Sequence, residues 1–232
     1  MAKVIGIDLG TTFSAIASLD DLGNPEVLAS IEDNRKITAS AIYIEGKNVI
    51  VGDKALNYIK DEPKKVILQT KREMENDVVY SIDQGKWTND NDLVDAYTPA
   101  QVSALILKKL KDYTTDVKKA VITVPAMFAE KARQATLDAA KMADIEVIEL
   151  INEPTAAVLH YASLPGVEVG GRVMIFDLGG GTFDVTFAEV KNKKVDVLTS
   201  RGDKYLGGKD FDWEIAKLIK KKYHNIHKVD ID

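Results

Sequence analysis

Apolar and polar positions alternate in short blocks along the chain. Residues 4–8 form an apolar run closing on Asp8, and residues 13–19 form a second, with Gly10-Thr11-Thr12 between them. That pattern predicts strand, tight loop, strand. Residues 41–51 predict a hairpin turning at 45–48, and 52–60 a short helix. Residues 61–97 are polar and Asp/Asn-rich with weak periodicity, and predict an irregular, exposed segment. Thr98 then offers a helix cap, Pro99 suits the first helical position and Gln101 completes a capping box. Val102, Leu105, Ile106, Leu110 and Tyr113 mark one face of that helix. Residues 119–124 read as a strand stopped by Pro125. Residues 129–143 form an alanine-rich helix with Ala132, Thr136, Ala139, Ala140 and Ala143 on one side, small enough for close packing on a sheet. A strand at 146–151 and a helix at 153–161 follow. Pro165, Gly166, Gly170 and Gly171 mark 164–171 as a boundary. Beyond it come a strand at 172–178, a glycine loop, strands at 184–191 and 194–201, and a turn at 206–208. Phe211, Ile215, Leu218 and Ile219 mark a last helix, with acids early and lysines late, which suits its dipole.

Bulk composition narrows the classes. The chain has 232 residues, 45% hydrophobic and 29% charged, with net charge −5. No global basic field favours nucleic acid or an anionic membrane, so neither is expected as a partner. The local clusters Lys108, Lys109, Lys111 and Lys217, Lys220, Lys221, Lys222 read as solvated helix faces. With no cysteine, disulfides, thiolate catalysis and cysteine zinc sites are excluded. His160, His224 and His227 are scattered, and the 224/227 pair reads as surface. No stretch approaches a membrane span in apolar length, and the start lacks a leader pattern, so a cytoplasmic chain with its native start is expected.

The chemistry lies in an internal repeat. "VIGIDLGTTFSAIASL" (4–19) and "VMIFDLGGGTFDVTFAEV" (173–190) share a strand, Asp-Leu-Gly, small residues and a second strand. Glycines let backbone N–H groups approach phosphate oxygens. An aspartate at the strand end can face magnesium through water, because that ion dehydrates reluctantly. A Walker loop would carry Gly-Lys-Ser/Thr and lead into a helix, and here a strand follows. Two such hairpins facing each other would clamp one nucleotide. The positive charge must come from elsewhere.

Six ordered segments resemble the nucleotide-binding domain of the seventy-kilodalton heat-shock chaperones of the DnaK type. They are "GIDLGTT", "TKRE" (70–73), "VITVPAMFAEKARQAT", "INEPTAA", "DLGGGTFDV" and "LGGKDFD". The resemblance spans residues 4 to about 223. It implies the α/β actin–hexokinase superfold, ribonuclease H-like, with ATP/ADP and magnesium as cofactors and ATP hydrolysis as the activity. It also implies roles. Asp8 and Asp177 would frame magnesium through waters. The loops Gly10, Thr11, Thr12, Phe13 and Gly179, Gly180, Gly181, Thr182 would cradle phosphates, with Thr182 on the γ-phosphate and Thr11 opposite. Lys71 would approach the γ-phosphate and the attacking water, and Glu153 and Asp184 would sit near the metal and that water. Pro125 and Arg133 would relay nucleotide state toward the substrate-binding half. Phe13, Ala39, Met127 and Lys209 depart from the family's usual residues.

The resemblance divides the chain into a first lobe, 1–165, and a partial second lobe, 166–232. The first has its core in 1–37 and 98–165 and a trimmed upper subdomain at about 38–97. Family segments that grip adenosine and bind peptide lie outside the sequence. The expectation is therefore a broken adenosine pocket, weak or absent hydrolysis, exposed apolar surface and self-association to cover it. Client peptides and co-chaperones would engage only the full-length protein. A pseudoenzyme that binds nucleotide, a small-molecule kinase of the same superfold and an actin-like filament remain open alternatives.

Overall fold

A computed structural model describes residues 3–90, 93, 95–115, 117–191 and 194–231. Its largest sheet is built from β1 (Lys3–Asp8), β2 (Phe13–Leu19), β3 (Pro25–Val27), β4 (Thr38–Ala39), β11 (Val117–Val124) and β12 (Glu146–Asn152). The order is β12-β11-β1-β2-β3, with β4 also paired to β2. β1 runs parallel to β11, and β11 to β12, whereas β2 is antiparallel to β1. Parallel neighbours need crossovers, supplied by α2 (Pro99–Lys111) before β11 and α3 (Glu130–Met142) after it. The period of two then sorts the strand residues. Ile5, Ile7, Ile16 and Ile122 point into one core with Val102, Leu107, Leu110, Ala139 and Ala140 from the helices. Gly6, Asp8, Ala15, Ala17, Val121 and Thr123, the alternate positions, line a cavity on the other face. α2 starts as its sequence predicts, because Thr98 Oγ1 accepts from the Gln101 N–H and Gln101 Oε1 accepts from the Thr98 N–H. The predicted small face of α3 is buried at Ala132, Thr136, Ala139 and Ala140.

The hairpin at 41–51 is β5 (Ala41–Glu45) and β6 (Asn48–Val51), joined by β7 (Val66–Leu68) in the order β6-β5-β7. α1 (Asp53–Leu56) is a single turn, shorter than the 52–60 helix expected. Residues 61–97 need a larger correction. They hold β7, two 3-10 turns at Pro63–Lys65 and Thr70–Glu73, and a sheet of β8 (Val79–Ser81), β9 (Lys86–Thr88) and β10 (Ala96–Tyr97). Ile67, Thr70, Lys71, Arg72, Met74 and Tyr80 are buried there. Polar composition suggested exposure, but Lys71 and Arg72 are buried because each is ion-paired, the condition under which such groups leave water. The first lysine cluster is also corrected. Lys109 pairs with Glu32, and Lys111 donates to the Asp144 carbonyl at 2.7 Å. Both tie α2 to neighbouring segments. The lysine bonds, Lys109 first and then Lys54, hold the Glu32 carboxyl down at about 2.

After α4 (Glu153–Ser163), β13 (Gly171–Leu178), β14 (Phe183–Lys191) and β15 (Lys194–Asp203) form an antiparallel meander, and α5 (Gly208–His227) follows. The repeat seen in sequence is a repeat of hairpins. Asp8 pairs with Ala15, and Asp177 with Asp184, the same register in both. No α5 residue is buried, and Met174, Phe176, Trp213 and Leu218 are each 60% exposed or more. The expected exposed apolar surface is therefore present. His224 and His227 lie on α5, with His224 Nδ1 2.8 Å from Asp230. Among the described residues no helix is long and apolar enough to cross a membrane.

Candidate functional site

The ends of β1 and β13 bring the two loops to one cavity of about 750 Å³. Asp8, Gly10, Thr11, Thr12 and Phe13 line it from the first hairpin, and Asp177, Gly179, Gly180 and Thr182 from the second. The loops touch. A Cβ on Gly180 would stand 2.1 Å from Thr12 Oγ1, and one on Gly181 2.3 Å from Thr11 Cγ2. A side chain at either position would press on the opposing loop's threonine and force it to shift.

Lys71 enters from the 3-10 turn Thr70–Glu73, and Glu153 from the first turn of α4. Lys71 Nζ donates to Glu153 Oε1, with side chains only 7% and 16% exposed. Burial pushes the Glu153 carboxyl up, against the pull of Lys71 and with the charges of Asp8 and Asp177 adding to the rise. Asp177 is likewise raised by burial, with Lys71 opposing and Asp8 adding. Thr123 Oγ1 donates to Asp8 Oδ1 at 2.8 Å and fixes that carboxylate's orientation. Three carboxylates thus surround one lysine, which leaves the site short of positive charge.

The first loop is braced from behind by Ser40. Its hydroxyl donates to the Gly10 carbonyl and its N–H to the Thr12 carbonyl, each at 2.8 Å. The Gly10 N–H donates to Ser14 Oγ at 3.2 Å, and the two serine hydroxyls lie 2.9 Å apart.

Other sequence-expected residues lie off the cavity wall. Asp184 is 2% exposed, behind Asp177, and its Oδ1 has no hydrogen-bond partner among the described residues. Gly181 is buried, with its carbonyl accepting from Arg72 Nε at 2.6 Å. Pro125 and Arg133 are likewise off the wall but connect to it. Phe128 N–H donates to the Pro125 carbonyl, Arg133 Nε to the Phe128 carbonyl at 3.0 Å, and Arg133 to Asn152 Oδ1 at 2.7 Å. Asn152 immediately precedes Glu153. His160, which sequence reasoning leaves unassigned, lines the cavity from α4.

Sequence reasoning also missed the ties between residues 69–76 and 204–210. Arg72 pairs with Asp210 at 2.6 Å, Lys204 with Glu75 at 2.6 Å, and Lys209 donates to Gln69. Asn76 Nδ2 donates to the Tyr205 hydroxyl at 3.1 Å. The one signal in sequence was that "TKRE" and "LGGKDFD" carry opposite charges.

The environment of Asp184 has a measurable consequence. Burial first, then the Asp177 charge, raises its carboxyl above the ordinary 3.8. Below that ordinary value folded and unfolded chains are both protonated and nothing is lost. As pH rises from the ordinary value through the raised folded one the fold bears a growing penalty, complete above the latter. Asp184→Asn is expected to raise the unfolding temperature at about pH 7 by roughly 2–4 °C, the effect of about 1 kcal/mol in a chain this long. That gain should shrink as pH falls through the raised folded value and vanish below the ordinary 3.8. Calorimetric scans of both chains in metal-free buffer check it, and a gain that stays constant with pH would contradict it.

A family model described as Hsp70 protein matches residues 4–232. The chain is similar to the chaperone protein DnaK of Thermotoga petrophila and of Thermotoga maritima, 37% identical over 98% of this chain in each case. It is 42% identical to the chaperone protein DnaK of Mycoplasmopsis agalactiae over 96% of its length. It spans about 37% of the length of these curated relatives. With the family model covering nearly the whole chain and two aspartate-ended loops closing on one cavity, the chain belongs to the Hsp70 family.

Proposed function

We propose that this chain is the ATP-binding and ATP-hydrolysing portion of a cytoplasmic molecular chaperone, which passes nucleotide state to client binding elsewhere in the full-length protein. Residues 1–165 and 166–232 act as the two lobes of the clamp. The observation that carries the reading is the meeting of two repeated loops over a buried Lys71–Glu153 pair. Phosphate oxygens lie at the amides of Thr11, Thr12 and Gly180–Thr182, with the Thr11 and Thr182 hydroxyls on either side, since the Gly10 and Gly179 N–H groups are taken by Ser14 and by the Thr182 carbonyl. Lys71 faces the γ-phosphate. Glu153 orients water and holds its proton, and Asp184, buried off the cavity wall, acts only through the charge of its neighbour Asp177.

The donor set suits magnesium. Among the described residues no three acids or histidines stand close enough to ligate an ion directly, yet Asp8, Asp177 and Glu153 leave excess negative charge. Magnesium commonly keeps its waters and is held by one or two carboxylates plus substrate phosphates. Asp8 and Asp177 would hold it, where it would neutralise charge on the β- and γ-phosphates.

The bonded chain Pro125, Phe128, Arg133, Asn152 gives the coupling route, since it ends beside Glu153 and starts at the end of β11. Calorimetric titration with ADP, with and without magnesium, tests the binding, and release of phosphate from ATP tests the chemistry. Magnesium-dependent ADP binding is the expected result. ADP binding without any phosphate release would favour a nucleotide-binding pseudoenzyme, and no binding would remove the nucleotide reading.

A further inference from the structure

We propose that Arg72 is a positioning residue that sets the polarity of the second phosphate loop, a role separate from that of its neighbour Lys71. The inference rests on the nucleotide reading above.

All three loop-glycine carbonyls are held from outside the cavity. Gly208 N–H donates to the Gly179 carbonyl at 3.0 Å, and Lys209 N–H to the Gly180 carbonyl at 3.1 Å. Arg72 Nε takes the Gly181 carbonyl at 2.6 Å. In a planar trans peptide a carbonyl and the following N–H point in opposite directions. Fixing these three carbonyls toward α5 and Arg72 therefore turns the N–H groups of Gly180, Gly181 and Thr182 the other way. Among the described residues none of those three N–H groups has an acceptor. Successive free amides in one concave loop form an anion-binding nest, and of the three residues that carry them Gly180 and Thr182 line the cavity, with Gly181 buried between them.

Arg72 is suited to this because it is itself immobilised. Its side chain is 5% exposed, and the guanidinium reaches both Asp210 oxygens, at 2.6 and 3.4 Å. Asp210 Oδ2 also accepts from the Gly207 N–H at 2.8 Å, so one carboxylate aligns both the arginine and the start of α5. Lysine could keep the ion pair but has no second, rigidly spaced donor for the Gly181 carbonyl. The Arg72–Asp210 pair thus links the first lobe's cation-bearing turn to the second loop, and Lys71 and the nest are set by adjacent residues.

The test is binding of magnesium tripolyphosphate and magnesium ADP to the full chain, measured calorimetrically at low temperature, alongside thermal unfolding. Arg72→Lys is expected to unfold close to the wild type yet bind tripolyphosphate about tenfold more weakly. Asp210→Asn keeps the Gly181 bond and loosens the guanidinium, so a smaller loss of about threefold is expected. A purely structural role would lower the unfolding temperature and leave the affinity of folded molecules unchanged. Wild-type affinity in folded Arg72→Lys would overturn the inference and leave the nucleotide reading standing. If Arg72→Lys does not fold, Asp210→Asn decides, and unchanged affinity there overturns it. Failure of the wild type to bind either probe would overturn both.

Discussion

Lys71→Met is expected to lower magnesium-dependent phosphate release by about 100-fold or more, the scale seen when a charge-stabilising group is lost from an active site. Among the described residues Lys71 is the only lysine or arginine lining the cavity, and it stands among Asp8, Asp177 and Glu153. Without it the negative charge of a triphosphate would meet three carboxylates and no fixed cation. The same substitution should also destabilise the fold, because removing one member of a buried pair costs about 3–5 kcal/mol by leaving the other uncompensated. Glu153, already pushed up by burial, can take up a proton and limit that cost. The two effects separate in Lys71→Met/Glu153→Gln, which removes the stranded charge. Its unfolding temperature should recover most of the loss while phosphate release stays low. Phosphate-release assays and thermal scans on the three chains check this. Release at the wild-type rate in Lys71→Met would remove Lys71 from the mechanism.

Features encoded locally were legible in the sequence. The Thr98 capping box, the alanine face of α3 and the hairpin turning at 45–48 each depend on residues within one or two turns. The repeated loops were legible because a glycine cluster between two strands satisfies an obvious local requirement. Partnerships across the chain were not. Arg72 and Asp210 are 138 positions apart, and no periodicity marks either as buried. Residues 61–97 misled for the same reason, since burial of Lys71 and Arg72 depends on acids supplied by α4 and α5. Lys109 read as a solvated face because its partner Glu32 lies in a distant turn.

The repeat also concealed an asymmetry that matters chemically. At the position paired with the loop aspartate, the first hairpin has Ala15 and the second has Asp184. The first loop is braced by the small hydroxyl of Ser40, the second by α5 and a guanidinium. The loop of the first hairpin is therefore held by uncharged hydrogen bonds. The other hairpin carries a second, buried carboxylate and is tied by an ion pair to the turn that holds Lys71. The two hairpins share a register and differ in what supports them, and both of their loops reach the cavity.

That dependence on support makes Gly207→Ala the second large expected effect. Gly207 has φ −171° and ψ −176°, an extended conformation open to any residue, so the constraint is steric. A Cβ there would stand 2.3 Å from the Gly181 nitrogen and 2.5 Å from the Gly180 carbonyl carbon and Gly181 Cα. All three are backbone atoms of the second glycine loop and cannot rotate aside. Either the loop or the start of α5 must move, and movement breaks the bonds from Gly208 and Lys209 that hold the Gly179 and Gly180 carbonyls. Overpacking at a rigid site costs typically 1–3 kcal/mol, and about 3 kcal/mol is expected here because both contacting segments are hydrogen-bonded. Tripolyphosphate affinity should fall at least tenfold at temperatures where the variant is still folded. Gly166→Ala is the control. Gly166 has φ +76°, and a Cβ added there would have no neighbouring atom within 4 Å. Alanine at that position should therefore cost about 1 kcal/mol through its left-handed backbone alone and leave the affinity unchanged. Equal losses of affinity in the two variants would mean that general destabilisation, and not loop displacement, governs phosphate binding.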